Sequence, residues 1–281
     1  MEIPGAVAVV TGASAGIGWS TSVALARRGA LVVVSARRRE RLTELVDGIH
    51  SRGGQAMAVE CDVSDRDQVL ELARRVNDTY GRCDVLVNNA GVPGGGAFPS
   101  LSWESVERVI RTNYVGVLSC TNAFLPFMLS AGRGHIVNVA SLAGRFAVPG
   151  SSVYSSTKHA IVAFSEALHY EVSSQGVLVT AVNPGLVATE AFPHRDAIQR
   201  GRRVLSPDRI AELIVEVVRK GRAPEVSIPR SVAALQIVRL IAPPLYRFGQ
   251  RRVAQRRMRP TDLGLSSPGR GTGRSGPSRR R

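Results

Sequence analysis

Thr11-Gly12-Ala13-Ser14-Ala15-Gly16-Ile17-Gly18 follows directly on the apolar run at residues 6–10. A short β-branched run, then closely spaced glycines, then helix-forming residues read as a strand, a tight turn and the start of a helix. Glycine lets backbone approach whatever sits in the bend, and the N–H groups that open a helix are unpaired and carry partial positive charge. Such a bend suits the pyrophosphate of a dinucleotide. The spacing is G-x-x-x-G-x-G, unlike the G-x-G-x-x-G of other dinucleotide folds. Glycines required only for packing would look the same.

Working outward, strand and helix patterns alternate. Helix is expected at 19–28, 39–52, 65–80 (capped by Ser64), 103–130 (bent at Pro126), 152–174 and 207–220. Strands are expected at 31–35, 55–60, 84–88, 135–140, 178–182 and 226–228. Continuous apolar strands separated by helices imply a parallel sheet covered on both faces. Right-handed crossovers then give a doubly wound, Rossmann-like α/β domain. Residues 1–229 form this single domain, followed by an apolar and basic segment at 230–259 and a Gly/Pro/Ser/Arg tail at 260–281 that is expected not to fold.

The chain's 281 residues, 44% of them hydrophobic, suffice for one large core. Three cysteines without paired spacing, Cys61, Cys83 and Cys120, read as reduced thiols in a cytoplasmic protein. No signal peptide and no uninterrupted membrane-length apolar run is evident. Of the net charge of +15, residues 230–281 supply +12, from thirteen arginines and one acid, Asp262. The folded body is therefore nearly neutral, which argues against specific nucleic-acid reading.

After the second strand stands Ser35-Ala36-Arg37-Arg38, with no carboxylate before Glu40. An acid there would bond the adenosine 2′-hydroxyl of NAD and repel the 2′-phosphate of NADP; Arg37 is instead placed to fork a 2′-phosphate. NADP(H) is the preferred cofactor on this reading, with NAD(H) open. Asp62, ending the third strand, is open to two uses: meeting the adenine amino group, or capping the next helix.

Tyr154 and Lys158 are one helical turn apart, and Ser141 precedes the tyrosine by thirteen positions. Carbonyl reduction by hydride builds negative charge on oxygen and needs a proton donor. An ammonium four residues along the same helical face would favour the phenolate and acidify Tyr154. Ser141, just past a buried strand, is suited to hold the substrate oxygen. The histidines have no ligand-like spacing, so no metal site is expected.

The chain resembles the short-chain dehydrogenase/reductase family over about its first 230 residues. The resemblance rests on Thr11–Gly18, Asp62-Val63, Asn88-Asn89-Ala90-Gly91, Asn113, Ser141, Tyr154-Ser-Ser-Thr-Lys158 and Pro184-Gly185, all in order. It implies metal-free interconversion of an alcohol and a carbonyl with a nicotinamide dinucleotide. It implies Tyr154, Lys158, Ser141 and Asn113 as catalytic residues, Lys158 also holding the nicotinamide ribose and Asn113 orienting a water. It implies cofactor contacts from Gly12, Ser14, Ala15, Gly16, Ile17, Gly18, Arg37, Asp62, Val63, Asn89, Ala90, Gly91, Tyr154, Lys158, Pro184, Gly185, Val187 and Thr189. Homo-oligomerisation through the long helices is a further implication.

The stretch between Thr189 and Ser206 is expected to cover the substrate, and Val92, Phe146 and Val148 are candidate apolar wall residues. An apolar or lipid-like ketone or secondary alcohol follows. Residues 231–259 fit an anionic membrane surface, or packing on the protein's own pocket or a partner subunit, and the basic tail also fits nonspecific, salt-sensitive nucleic-acid binding. The rival to an enzyme is a non-catalytic dinucleotide-binding module docked through this basic segment to membrane, nucleic acid or protein.

Overall fold

The computed structural model describes residues 1–190, 204–229 and 235–257. The tail expected to be unstructured, residues 260–281, and most of the expected substrate cover fall outside them. Seven parallel strands form one sheet: β1 (Val7–Thr11), β2 (Leu31–Ala36), β3 (Gln55–Glu60), β4 (Val85–Asn88), β5 (Gly134–Val139), β6 (Val177–Pro184) and β7 (Glu225–Ile228). Their order is β3-β2-β1-β4-β5-β6-β7. The order reverses between β1 and β4, which opens a crevice at their carboxyl ends where a ligand fits.

Side-chain alternation divides the core. Ala8, Val10, Val32, Val34, Val85 and Val87 face one side, where α1 (Gly16–Ala26), α2 (Arg39–His50) and α7 (Pro207–Lys220) bring Leu25, Leu42, Leu45, Ile210 and Ile214. Val7, Val9, Val33, Leu86 and Ile136 face the other. There α3 (Arg66–Tyr80), α5 (Gly116–Ala131) and α6 (Ser152–Val172) contribute Leu72, Phe124, Met128 and Leu168. Burying one such side chain stabilises by roughly 1.5–3 kcal/mol, so both faces hold the sheet.

Some expectations need correction. The first helix starts at Gly16, three residues before the expected start, because the glycine turn itself enters it. Asp65, not Ser64, caps α3: its carboxylate accepts the N–H of Asp67 at 3.0 Å and of Gln68 at 3.3 Å. The expected 103–130 helix is α4 (Trp103–Ile110) and α5 joined by a π turn at Arg111–Val115. The ladder's break in register thus falls there, while α5 runs through Pro126. By length and composition this joined helix is apolar enough to cross a bilayer, which counting uninterrupted apolar residues does not reveal. It lies on the sheet, with Thr112, Asn113, Cys120 and Phe124 buried. After β7, α8 (Leu235–Ile241) and α9 (Pro243–Arg257) form a helical pair.

Candidate active site

The glycine turn is built for close approach. A Cβ on Gly12 would stand 2.7 Å from Ala90 Cα, and one on Gly18 would stand 2.4 Å from the Gly12 carbonyl oxygen. Gly16 has φ +54°, and a Cβ there would meet the Thr189 methyl at 3.0 Å. Thr11 and Asn89 fasten the turn to β4. Thr11 Oγ1 accepts the N–H groups of Asn89 and Ala90, both at 3.1 Å, and Asn89 Nδ2 donates to the carbonyls of Thr11 at 2.9 Å and Gly12 at 3.2 Å. The side chain of Asn89 is therefore engaged with backbone. Helix α1 is capped by Ala15, which offers no side-chain hydrogen bond, and has no acid in its first turn. Backbone room and unneutralised N–H groups together fit a dinucleotide pyrophosphate.

The two arginines after β2 separate. Arg37 turns to Asp62, 3.4 Å away, while Asp62 also accepts the backbone N–H and hydroxyl of Ser64 at 3.0 and 2.7 Å. Arg38 reaches back over the glycine turn and donates to Ser14 Oγ at 3.2 Å, the Ser14 carbonyl at 3.1 Å and the Glu190 carboxylate at 3.0 Å. Sequence reasoning named Arg37 and missed Arg38. Val63 is buried, with its side chain and its carbonyl both against Gly116. Gly185 donates to the Ile228 carbonyl at 2.8 Å, Val187 is buried and bridged to Leu205, and Thr189 faces the glycine turn.

At the chemical end, Ser141, Tyr154 and Lys158 come together with Asn113 and the Gly91 backbone. Ser141 caps the 3-10 turn Leu142–Gly144, accepting the Ala143 N–H at 3.1 Å. The Ser141 hydroxyl stands beside Tyr154 and draws its phenol's pKa down. Lys158 Nζ donates to the Val139 carbonyl at the end of β5, 2.8 Å away, and lies 5.7 Å from the Tyr154 ring centroid. Asn113, in the π turn, clamps the Val92 backbone: its Oδ1 accepts the N–H at 2.7 Å and its Nδ2 donates to the carbonyl at 3.0 Å. A Cβ on Gly91 would stand 3.3 Å from Asn113 Oδ1 and 3.8 Å from Lys158 Nζ, and one on Gly94 would stand 3.4 Å from Tyr154 Cβ. Val92, Phe146 and Val148 are half-buried around this end.

Electrostatics correct one expectation. Burial raises the Tyr154 phenol above its ordinary pKa, against the Ser141 hydrogen bond that draws it down. Burial also lowers Lys158 from 10.5 to about 8. The acidification expected from Lys158 is thus opposed by desolvation, which disfavours charge on both groups.

Beneath the site runs a buried polar chain that sequence reasoning did not identify. Asn88 Nδ2 donates to Asn138 Oδ1 at 2.8 Å and Thr121 Oγ1 at 3.2 Å, and Asn138 Nδ2 donates to Ser165 Oγ at 2.8 Å. It joins β4, β5, α5 and α6, the elements that carry the site. Gly144 was also missed: a Cβ there would stand 2.5 Å from the Lys158 carbonyl oxygen.

Comparison with known proteins follows the same lines. Residues 6–199 match the short chain dehydrogenase family. The chain is 40% identical over 192 residues to a 3-oxoacyl-[acyl-carrier-protein] reductase of Synechocystis sp., covering 68% of this chain and 78% of that protein. Glycine betaine reductase ATRR of Emericella nidulans is 37% identical over 226 residues, which span 78% of this chain but only 18% of that larger protein. An actinorhodin polyketide ketoreductase variant crystallised with NADPH superposes with TM-score 0.75 at 34% identity, covering 80% of this chain and 95% of that one. A Burkholderia phymatum family member crystallised with NAD gives 0.79 at 29% identity, covering 88% and 96%. The chain belongs to the short-chain dehydrogenase/reductase family and is an oxidoreductase of alcohols and carbonyls that uses a nicotinamide dinucleotide.

Proposed function

We propose that this chain is an NADP(H)-preferring reductase of ketones, or dehydrogenase of the matching secondary alcohols, on apolar acyl-like substrates. The observation that carries the reading is the meeting of Ser141, Tyr154 and Lys158 at the carboxyl ends of β4 and β5, beside Gly91. When bound, the dinucleotide supplies the hydride and, once oxidised, a positive ring. The Ser141 hydroxyl holds the substrate oxygen. Tyr154 hands its phenolic proton to that oxygen as charge develops there. Lys158, fixed by the Val139 carbonyl, holds the ribose hydroxyls and stabilises the phenolate. Asn113 keeps the Val92 backbone in place and orients a water for the proton's return. The glycine turn takes the pyrophosphate, with Thr189 and Val187 near the nicotinamide amide and Asp62 and Val63 beside the adenine.

The preference for NADP(H) rests on Arg37 and Arg38 and on the lack of an acid at the end of β2. The substrate class rests on the half-buried apolar residues around Tyr154, and a 3-oxoacyl thioester, the substrate type named for the Synechocystis relative, belongs to it. The test is oxidation of NADPH with 3-oxoacyl thioesters and plain cyclic ketones by the wild type and Tyr154→Phe. The variant is expected to lose about 10²–10⁴ of the rate while binding NADPH within twofold of the wild type. Equal rates on every substrate turned over would remove Tyr154 as the proton donor, and turnover of no substrate at all would leave a binding module as the better reading.

The appendage after residue 229 is a second part of this reading. Ile237, Leu240, Ile241, Leu245 and Phe248 are exposed, and Arg252 stacks 4.5 Å over the Phe248 ring. Apolar side chains interleaved with arginine suit the headgroup region of an anionic membrane, with the body in the cytoplasm. Flotation with anionic but not neutral vesicles, lost on removing residues 230–281, is the expected result. Flotation that survives the removal would sink it. Self-association is expected through the long helices, whose Trp103, Ile110 and Val115 are exposed.

A further inference from the structure

We propose that Glu190 sets how strongly this chain discriminates between dinucleotides with and without a ribose 2′-phosphate, by competing with that phosphate for Arg38. The inference rests on the assignment of the crevice to a nicotinamide dinucleotide, and it concerns a residue that neither the chemistry nor the glycine turn requires.

Three observations meet here. Arg38 stands two residues past the end of β2, where the adenosine ribose of a dinucleotide lies in this fold. Its guanidinium is already committed: Nε and Nη2 hold Ser14 in the glycine turn at 3.2 and 3.1 Å, and Nη1 holds Glu190 at 3.0 Å. Glu190 comes from the far side of the crevice, directly after Thr189, whose methyl packs on the position of Gly16. The Arg38–Glu190 pair therefore ties the loop after β6 to the start of α2 across the bend that receives the pyrophosphate. Arg41 adds a second, longer contact to the same carboxylate, at 3.9 Å, while lying 4.8 Å over the Trp19 ring.

The chemistry of the competition is direct. A carboxylate and a phosphate monoester are both anionic oxygen acceptors for the planar fork of arginine, and the phosphate carries the greater charge. With the Glu190 carboxylate present, a 2′-phosphate has to displace it or share the cation with it. A dinucleotide with a free 2′-hydroxyl meets neither the competitor nor the gain. Glu190 thus lowers affinity for the phosphorylated form selectively. Asp62 plays no part in this pair, because its cation is Arg37. Both partners of the Arg38–Glu190 pair are about half exposed, at 48% and 58%, so the effect is modest.

Titration calorimetry tests this without turnover, using NADPH, NADH and the fragments 2′-AMP and 5′-AMP as ligands for the full chain. Glu190→Gln is expected to tighten NADPH and 2′-AMP by about threefold to tenfold and to leave NADH and 5′-AMP within twofold. Arg38→Gln is expected to weaken NADPH and 2′-AMP, and in that background Glu190→Gln should change nothing. A Glu190→Gln variant that shifts both ligand classes equally, or neither, overturns the inference. So does an unchanged effect of Glu190→Gln after Arg38 is removed. The cofactor reading fails separately: wild type holding NADH more tightly than NADPH would refute the NADP(H) preference, yet a selective gain for NADPH in Glu190→Gln would still uphold the competition.

Discussion

Gly144 lies against the Lys158 carbonyl so closely that a side-chain carbon would stand 2.5 Å from that oxygen and 2.8 Å from its carbon. The 3-10 turn after Ser141 and the first turns of α6 therefore touch backbone to backbone. That contact fixes the separation between the hydroxyl that holds substrate and the helix that carries the phenol and ammonium.

Replacing Gly144 with alanine should push the turn off α6. The expected outcome is a fall in kcat of about tenfold to a hundredfold, as for other small displacements of reacting groups, with the dissociation constant for NADPH within threefold of the wild type. Steady-state kinetics alongside a binding titration would check it. An unchanged kcat would show that this contact sets no catalytic distance.

Asn138 is the central link of the buried chain from Asn88 to Ser165. Truncating it to alanine leaves a cavity and takes from the Asn88 amide the shorter of its two hydrogen bonds, leaving only that to Thr121, at a cost of about 2–4 kcal/mol. Urea unfolding should show the midpoint shift. A loss below about 0.5 kcal/mol would mean that the network is not holding the four elements together.

His135, on β5, is buried with Nε2 2.8 Å from Oγ1 of Thr180 on the neighbouring β6, and burial depresses its pKa from 6.5 to about 4. The folded state thus binds fewer protons than the unfolded chain between those values, so stability is present above about pH 6.5 and is lost as pH falls towards 4. The full loss is about 3 kcal/mol at 1.36 kcal/mol per unit. Melting temperatures measured from pH 7 to 4.5 should fall less steeply for His135→Gln than for the wild type. Parallel curves would assign the acid limb to other groups.

Lys158, with its pKa lowered to about 8 by burial, contributes in the alkaline range. Its folded state loses its proton first, so stability gains as pH rises from about 8 towards 10.5. Lys158→Met carries no such penalty. Its stability advantage over the wild type should be largest near pH 7 and narrow by pH 10, and an advantage that is constant with pH would contradict the shift.

Much of this architecture is legible along the chain because it depends on local chemistry. The run at residues 6–10 is apolar at every position and flanked by Gly5 and Thr11-Gly12, so its identity as a buried strand needs no partner information. Tyr154 and Lys158 share a face through helical periodicity alone. The π turn around Asn113 is different. Its residues fit an ordinary helix, and only the clamp on Val92, twenty-one positions away, shows why the ladder shifts there. Arg37 and Arg38 are chemically identical neighbours, and their divergence depends on Asp62 and Glu190, which reach them through tertiary structure. Gly144 looks like any loop glycine until the backbone opposite it is known.

The parallel bridge between Val187 and Leu205 is closed by two backbone hydrogen bonds, from Ala188 to Leu205 at 2.9 Å and from Leu205 to Leu186 at 2.8 Å. These hold the chain at Ala188 and at Leu205. A connection between those two points is expected to tolerate a change of length without disturbing the register of β6 or the entry into α7. Doubling its length would add only about 0.6 kcal/mol of closure entropy. A graft between those two pins is thus expected to leave Ser141, Tyr154 and Lys158 where they stand.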